Sequence, residues 1–107
     1  MRFTAVKTGK KIEDFEGQAP EAEIRLELHD PKENHNKFWH CFVYESEGEK
    51  FFIVRHWGRN FTKGQSMVEQ LSSGYEATNY ANDMANKKKR EGYKAQANFL
   101  DQRAREL

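Results

Sequence analysis

The segment Arg55-His56-Trp57-Gly58-Arg59-Asn60 carries the most suggestive chemistry in this chain. It sets a tryptophan at what reads as the end of a strand, then a glycine, then an arginine. A ring held at a rigid strand terminus can stack on a base or a sugar, and a guanidinium two residues on can take a phosphate bidentately. Glycine permits a turn closed to other residues and lets another backbone approach closely. The structural alternative is a core tryptophan whose strand simply ends, with Arg59 solvated. The residues of the segment alone leave both readings open.

Other reactive groups are sparse. His29, His35, His40, Cys41 and His56 are the imidazole and thiol ligands of the chain. His40 and Cys41 are neighbours in a strand, so they point to opposite faces and cannot share a metal. The others show no ligand spacing, and no metal or cofactor is expected. There is no Gly-x-Ser-x-Gly elbow, no phosphate-cradling glycine loop and no acid pair flanked by a histidine. Cys41, in mid-strand, reads as a small buried hydrophobe rather than a nucleophile. As a single cysteine it excludes an intrachain disulfide. The expectation is a protein that is not an enzyme.

The elements that must position these residues follow from composition and periodicity. A chain of 107 residues predicts one domain. Leu, Ile and Val are few, and 8 Phe, 4 Tyr and 2 Trp must supply most of the core. No apolar run is long enough to span a membrane, and the first residues lack the apolar stretch of a signal peptide. An intracellular, cytoplasmic protein without membrane partners is expected. Residues 1–20 read as a polar leader, with a short strand at Phe3–Val6; residues 21–94 read as the domain proper. Glu23–His29 alternates, with Ile24, Leu26 and Leu28 on one side, which predicts a half-buried strand. Asp30–Asn34 reads as a turn. Phe38–Glu45 and Phe51–Trp57 predict a hairpin around Gly48, with Gly58 ending its second strand. Gln65–Leu71 predicts a fourth strand.

From Tyr75 to Arg90 the period changes. Ala77, Tyr80, Ala81 and Met84 fall on one helical face. Ser72 or Ser73 serves as N-cap with Glu76 completing a capping box, Lys87–Arg90 suit the negative end of the helix dipole, and Gly92 is a fitting C′ residue. Residues 95–107 form a C-terminal extension whose apolar spacing allows a short second helix. The predicted fold class is α+β: an antiparallel sheet of about four strands with one long helix packed on one face. Both faces of the central hairpin carry rings, so the second face needs a cover, and the chain's own ends are the favoured one.

Charge is uneven along the chain. Residues 1–54 hold eight Lys/Arg against eleven Asp/Glu, whereas residues 55–107 hold ten against six. Arg55, Arg59, Lys63 and the run Lys87-Lys88-Lys89-Arg90 make the second half basic, a hint of a polyanionic partner. On charge alone, a solvated helix end is the favoured reading of the run.

Trp57-Gly58-Arg59 resembles the signature of the WGR domain family. Leu26-x-Leu28-x-Asp30, Asn36-Lys37-Phe38-Trp39, Gly64-Gln65 and Lys88-x-x-x-Gly92-Tyr93 are similar to the family's pattern in the same order, across residues 24–94. The resemblance implies a compact antiparallel sheet with one helix. In poly(ADP-ribose) polymerases such a domain binds DNA ends and breaks, its tryptophan packing on the terminal sugar and its arginine serving phosphate and interdomain contacts. Those roles would fall on Trp57 and Arg59, and Asn36 matches an asparagine near the DNA. Met67 stands where the polymerases can place a lysine. No polymerase catalytic domain accompanies the pattern, so the resemblance is to free-standing, bacterial-type members and implies no ADP-ribose transfer.

Two functions are therefore expected. The first is a nucleic-acid-binding module, with DNA favoured over RNA, that recognises ends, nicks or distorted duplex. Trp57, Gly58, Arg59 and Asn36 would form its site, and Lys63, Lys87, Lys88, Lys89 and Arg90 would neutralise phosphates. The second is a protein-interaction module that uses the same face and spare aromatic surface without nucleic acid.

Overall fold

Alternating apolar residues and a single change of period set the long strands and the helix of this molecule. The computed structural model describes residues 5–95 apart from positions 31, 33, 34, 47 and 49. Its strands are β1 (Val6–Lys7), β2 (Ala22–Asp30), β3 (His35–Ser46), β4 (Lys50–Arg59), β5 (Gln65–Leu71) and β6 (Lys94–Ala95), and its helix is α1 (Gly74–Arg90). They form one six-stranded antiparallel sheet in the order β1-β5-β4-β3-β2-β6. The α+β class is as expected, but the sheet has six strands rather than four. The two extra strands are two-residue edge pairings, Val6–Lys7 against β5 and Lys94–Ala95 against β2. β1 overlaps the strand expected at Phe3–Val6 only at Val6, and β6 was not expected; two residues show no alternation from which to read bounds. Phe3 and Thr4, half of the expected first strand, lie outside the described residues, as do residues 96–107, on which the second helix was expected.

The hairpin strands are also longer than their aromatic runs. β4 continues through Gly58 to Arg59, so Gly58 lies inside the strand and the reversal comes at residues 60–64. Register then fixes the faces. Leu26, Trp39 and Trp57 lie side by side on one face, as do Ile24, Cys41, Arg55 and Met67. The helix covers this face through Ala77, Ala81 and Ala85, all buried at spacings of four, and their small size lets its axis come close to Leu26, Trp39, Cys41, Ile53 and Leu71.

Both ends of α1 are closed by the residues expected. Ser73 Oγ accepts the Glu76 amide at 3.1 Å, and Glu76 accepts from the Ser72 hydroxyl. At the other end Gly92 (φ +109) donates to the Lys89 carbonyl and Tyr93 to the Lys88 carbonyl, both at 3.1 Å, which is a Schellman closure. That closure turns the chain back and lays Tyr93 against the last helical turn.

The opposite face is covered from the leader. A single 3-10 turn, Ile12–Phe15, drops the buried Phe15 onto Tyr44 (ring centroids 4.8 Å apart) and Phe52 (5.5 Å), closing a second core with Val54 and Val68. Thr8 anchors the approach to this turn by donating its amide and hydroxyl to the Val68 carbonyl.

Candidate nucleic-acid interface

Trp57 reaches the far end of β4 on the helix-covered face, beyond the alanine stripe, and is half-buried there. Its register partner Trp39 is buried to 3% exposure and fixes the inner side of the indole's surroundings. Below it, Arg55 lies with its guanidinium 6.0 Å from the Trp57 ring centroid. Arg55 Nη2 donates to Glu69 Oε1 at 2.6 Å, and the Tyr80 hydroxyl reaches the other Glu69 oxygen at 3.0 Å. This chain of contacts ties β4, β5 and α1 together beneath the indole. Met67 Sδ lies 2.8 Å from the same Arg55 nitrogen; a lysine there would set two cations together.

Outside Trp57 opens a cleft of about 340 Å³ lined by Lys37, Trp57, Gly58, Arg59, Lys88, Glu91 and Tyr93. Lys88 sits between two partners, its Nζ 5.5 Å from the Tyr93 ring centroid and 3.7 Å from Glu91. Burial pushes the Tyr93 hydroxyl's pKa upward, with the Glu91 carboxylate adding to the shift, so this wall stays a neutral phenol. A second depression of about 410 Å³ adjoins the first at Lys88 and Glu91 and takes in Trp39, Arg55, Tyr80, Met84 and Lys87. Together they make a groove between the sheet end and the last turns of α1, with aromatic walls and a cationic rim.

The structure thus brings Trp57, Gly58, Arg59 and Lys88 into one cleft, with Lys87 beside it. Lys89 and Arg90 are exposed on the same helix end but line neither depression. Lys63 is exposed on the turn between β4 and β5, where its carbonyl accepts from His56 Nε2 at 2.7 Å. Asn36 alternates to the face opposite Lys37, and its carbonyl accepts the Asn60 amide at 2.9 Å, bracing that turn.

Lys37 and Tyr93 are functional candidates that sequence reasoning did not single out. Lys37 shares strand parity with Trp39 and is the direct register partner of Arg59. Parity alone would have placed it on the Trp57 face. Tyr93 follows the C′ glycine, the position that habitually folds back on a helix end. Cys41 is buried to 1% exposure, and burial pushes its thiol up to about 12, so it is no nucleophile. Among the described residues no group of three or more His, Cys, Asp or Glu could hold a metal ion, and no helix is long and apolar enough to cross a membrane.

A six-stranded antiparallel sheet, one helix and an aromatic cleft rimmed by cations define a small α+β binding module. The chain belongs to the WGR domain family, whose model matches residues 22–100. The WGR domain is a binding domain rather than a catalytic one, known for nucleic-acid binding in proteins related to poly(ADP-ribose) polymerases. Neither the comparison with curated proteins nor that with solved structures found a match.

Proposed function

We propose that this protein is a non-enzymatic nucleic-acid-binding module that recognises duplex DNA at ends, nicks or distortions. The observation that carries this reading is the pairing of Lys37 with Arg59. Two cations stand directly opposite each other across β3 and β4, and both line the cleft beside Trp57. Like charges in that relation repel, and Glu91, the carboxylate lining the cleft, lies 3.7 Å from Lys88, so an anion placed between Lys37 and Arg59 would relieve the pair. A phosphate is such an anion, and Trp57 and Tyr93 supply ring surface for the sugar or base attached to it.

In this reading Trp57 packs on the terminal nucleotide, while Lys37, Arg59 and Lys88 hold phosphates. Lys63, Lys87, Lys89 and Arg90 extend the positive field along the duplex, and Asn36 keeps the turn after Arg59 in place. Among the described residues, no Asn or Gln lines the cleft to read base edges, so sequence preference is slight. Such a module works where DNA is, inside the cell.

Titration of tryptophan fluorescence with a 5′-phosphorylated blunt duplex and with a closed dumbbell of the same sequence tests the reading. Trp57→Phe serves to separate its signal from that of the buried Trp39. The blunt duplex should bind more tightly, and engagement of about four to six phosphates should give a log–log salt slope of roughly −4 to −5. Equal affinity for the two substrates removes end recognition, and no binding at low salt removes the nucleic-acid reading.

A second reading, docking of a protein partner, is favoured by one observation on the opposite face. Ile12, Phe15, Phe42 and Tyr44 line an open groove of about 440 Å³ between the leader and the sheet. Absence of duplex binding at low salt would favour this groove as the working surface.

A further inference from the structure

We propose that Phe61 is a second base-stacking ring, one that takes an unpaired or frayed nucleobase at the terminus while Trp57 serves the cleft. This rests on the nucleic-acid reading above and extends it to a residue outside the cleft.

Phe61 is fully exposed, at 106% of its reference area, and its φ is +66. Among the described residues it is the one non-glycine with a positive φ. A bulky side chain is a genuine outlier there, since its Cβ crowds the backbone. No packing contact offsets the strain, because the ring touches nothing that would bury it. A residue held in a strained conformation, with no structural return for it, points to a role in binding.

The turn that carries it is braced on every side. The Thr62 amide and hydroxyl both donate to the Arg59 carbonyl, at 3.2 and 2.7 Å. The Asn60 amide donates to the Asn36 carbonyl, and His56 Nε2 to the Lys63 carbonyl. Gly64 lies against Gly58 on the cleft itself. The ring is therefore displayed from a fixed support two residues after Arg59, at the same end of the sheet as Trp57.

Charge identifies the occupant. From residue 55 to residue 68 the chain has no Asp or Glu but includes Arg55, Arg59 and Lys63. An apolar protein surface pressed onto Phe61 would strip water from Arg59 and Lys63 without supplying counter-charge. A nucleic-acid terminus supplies both a π-face for the ring and phosphates for the flanking cations.

The test compares wild type with Phe61→Ala, Phe61→Leu and Phe61→Tyr on a duplex with a short single-stranded overhang carrying 2-aminopurine. Ala and Leu should weaken binding about 10-fold or more, within the span expected for one stacked base, and Tyr should restore it. The 2-aminopurine emission should be quenched by wild type and Tyr but not by Ala or Leu. The salt slope should stay unchanged in all four proteins, since no phosphate contact is lost. Wild-type affinity in the Ala variant, or equal rescue by Leu and Tyr, overturns the stacking role while leaving the cleft reading intact. If wild type binds no duplex at all, the cleft reading falls and this inference with it. Because Phe61 packs on nothing, circular dichroism should show all variants folded.

Discussion

Gly58 and Gly64 meet backbone to backbone across the turn after β4. A Cβ on Gly58 would lie 2.8 Å from Gly64 Cα, and one on Gly64 would press into the Trp57 carbonyl oxygen and lie 2.9 Å from the Phe38 ring. The glycine beside Trp57 thus lets the returning chain close against β4, which braces the turn and aims Arg59. Gly64→Ala should be the more damaging change, because it meets rigid backbone and ring atoms at φ +70. A loss of about 2–4 kcal/mol is expected, with thermal unfolding some 10 °C or more lower. A midpoint within about 2 °C of wild type would show that the turn yields more easily than this packing allows.

Glu69 holds Arg55 and Tyr80 at once, with side-chain exposures of 10% for Glu69 and 22% for Arg55. Removing the carboxylate leaves a half-buried guanidinium unpaired. Glu69→Ala should therefore cost about 2–3 kcal/mol, below the range for fully buried pairs because water reaches part of Arg55. Tyr80→Phe should cost about 1 kcal/mol. Combining Glu69→Ala with Arg55→Met should recover part of the first loss, because the orphaned charge goes with its partner. Urea unfolding of wild type, Glu69→Ala, Arg55→Met and the double variant checks the cycle, and strict additivity would mean that the pair is not coupled.

How much of this was legible beforehand depends on range. The faces of β2, β3 and β4 could be read because Ile24 and Leu26, Trp39 and Cys41, and Ile53 and Trp57 each alternate locally. Both helix ends could be read because Ser73 and Gly92 act within one turn of themselves. The Trp57-Gly58-Arg59 cluster was visible as a group, and its cleft contains all three. What stayed hidden is set by pairing between distant segments. Lys37 meets Arg59 only through the β3–β4 register, Glu69 meets Arg55 only through β4–β5, and β6, with the exact bounds of β1, rests on pairings of two residues each. Phe61 gave no signal because strain is a property of φ, not of composition.

Cys41 should make the fold sensitive to alkali. Its thiol has a pKa near 12 in the folded chain, raised chiefly by burial, against 9.0 as the ordinary value. Between pH 9 and 12 the unfolded chain releases this proton while the native chain keeps it. Fewer bound protons in the unfolded state mean that stability falls as pH rises, by about 1.4 kcal/mol per pH unit at full slope. Below pH 9 the contribution is constant. Unfolding free energies measured across this range should decline, and more shallowly in Cys41→Ala. Iodoacetamide at pH 8 should label the unfolded chain readily and the native chain hardly at all.

Phe61 should be replaceable with a gain in stability. Glycine relieves the positive φ, although it adds freedom to the unfolded chain, so the net rise in thermal midpoint should be small, about 2–4 °C. Valine, stiff at its branched Cβ, should fall below phenylalanine. Calorimetry should therefore order the three as Gly above Phe above Val. A destabilised glycine variant would show that the ring contributes contacts to the fold, contrary to its full exposure.

Lys37→Glu separates binding from folding. In the folded chain the new carboxylate would stand opposite Arg59, turning a repulsive cross-strand pair into an attractive one. Such pairs are worth about 0.2–1 kcal/mol, so stability should hold or rise slightly. The same change reverses a charge inside the proposed phosphate site, so duplex affinity should fall by at least 10-fold and the salt slope should flatten by about one or more. Lys89→Glu, on the exposed helix end outside the cleft, should weaken binding far less and only at low salt. Unfolding and binding measured on the same preparations decide the matter. Equal losses of affinity in the two variants would mean that the protein uses a diffuse positive field, and the cleft beside Trp57 would lose its claim to be the point of contact.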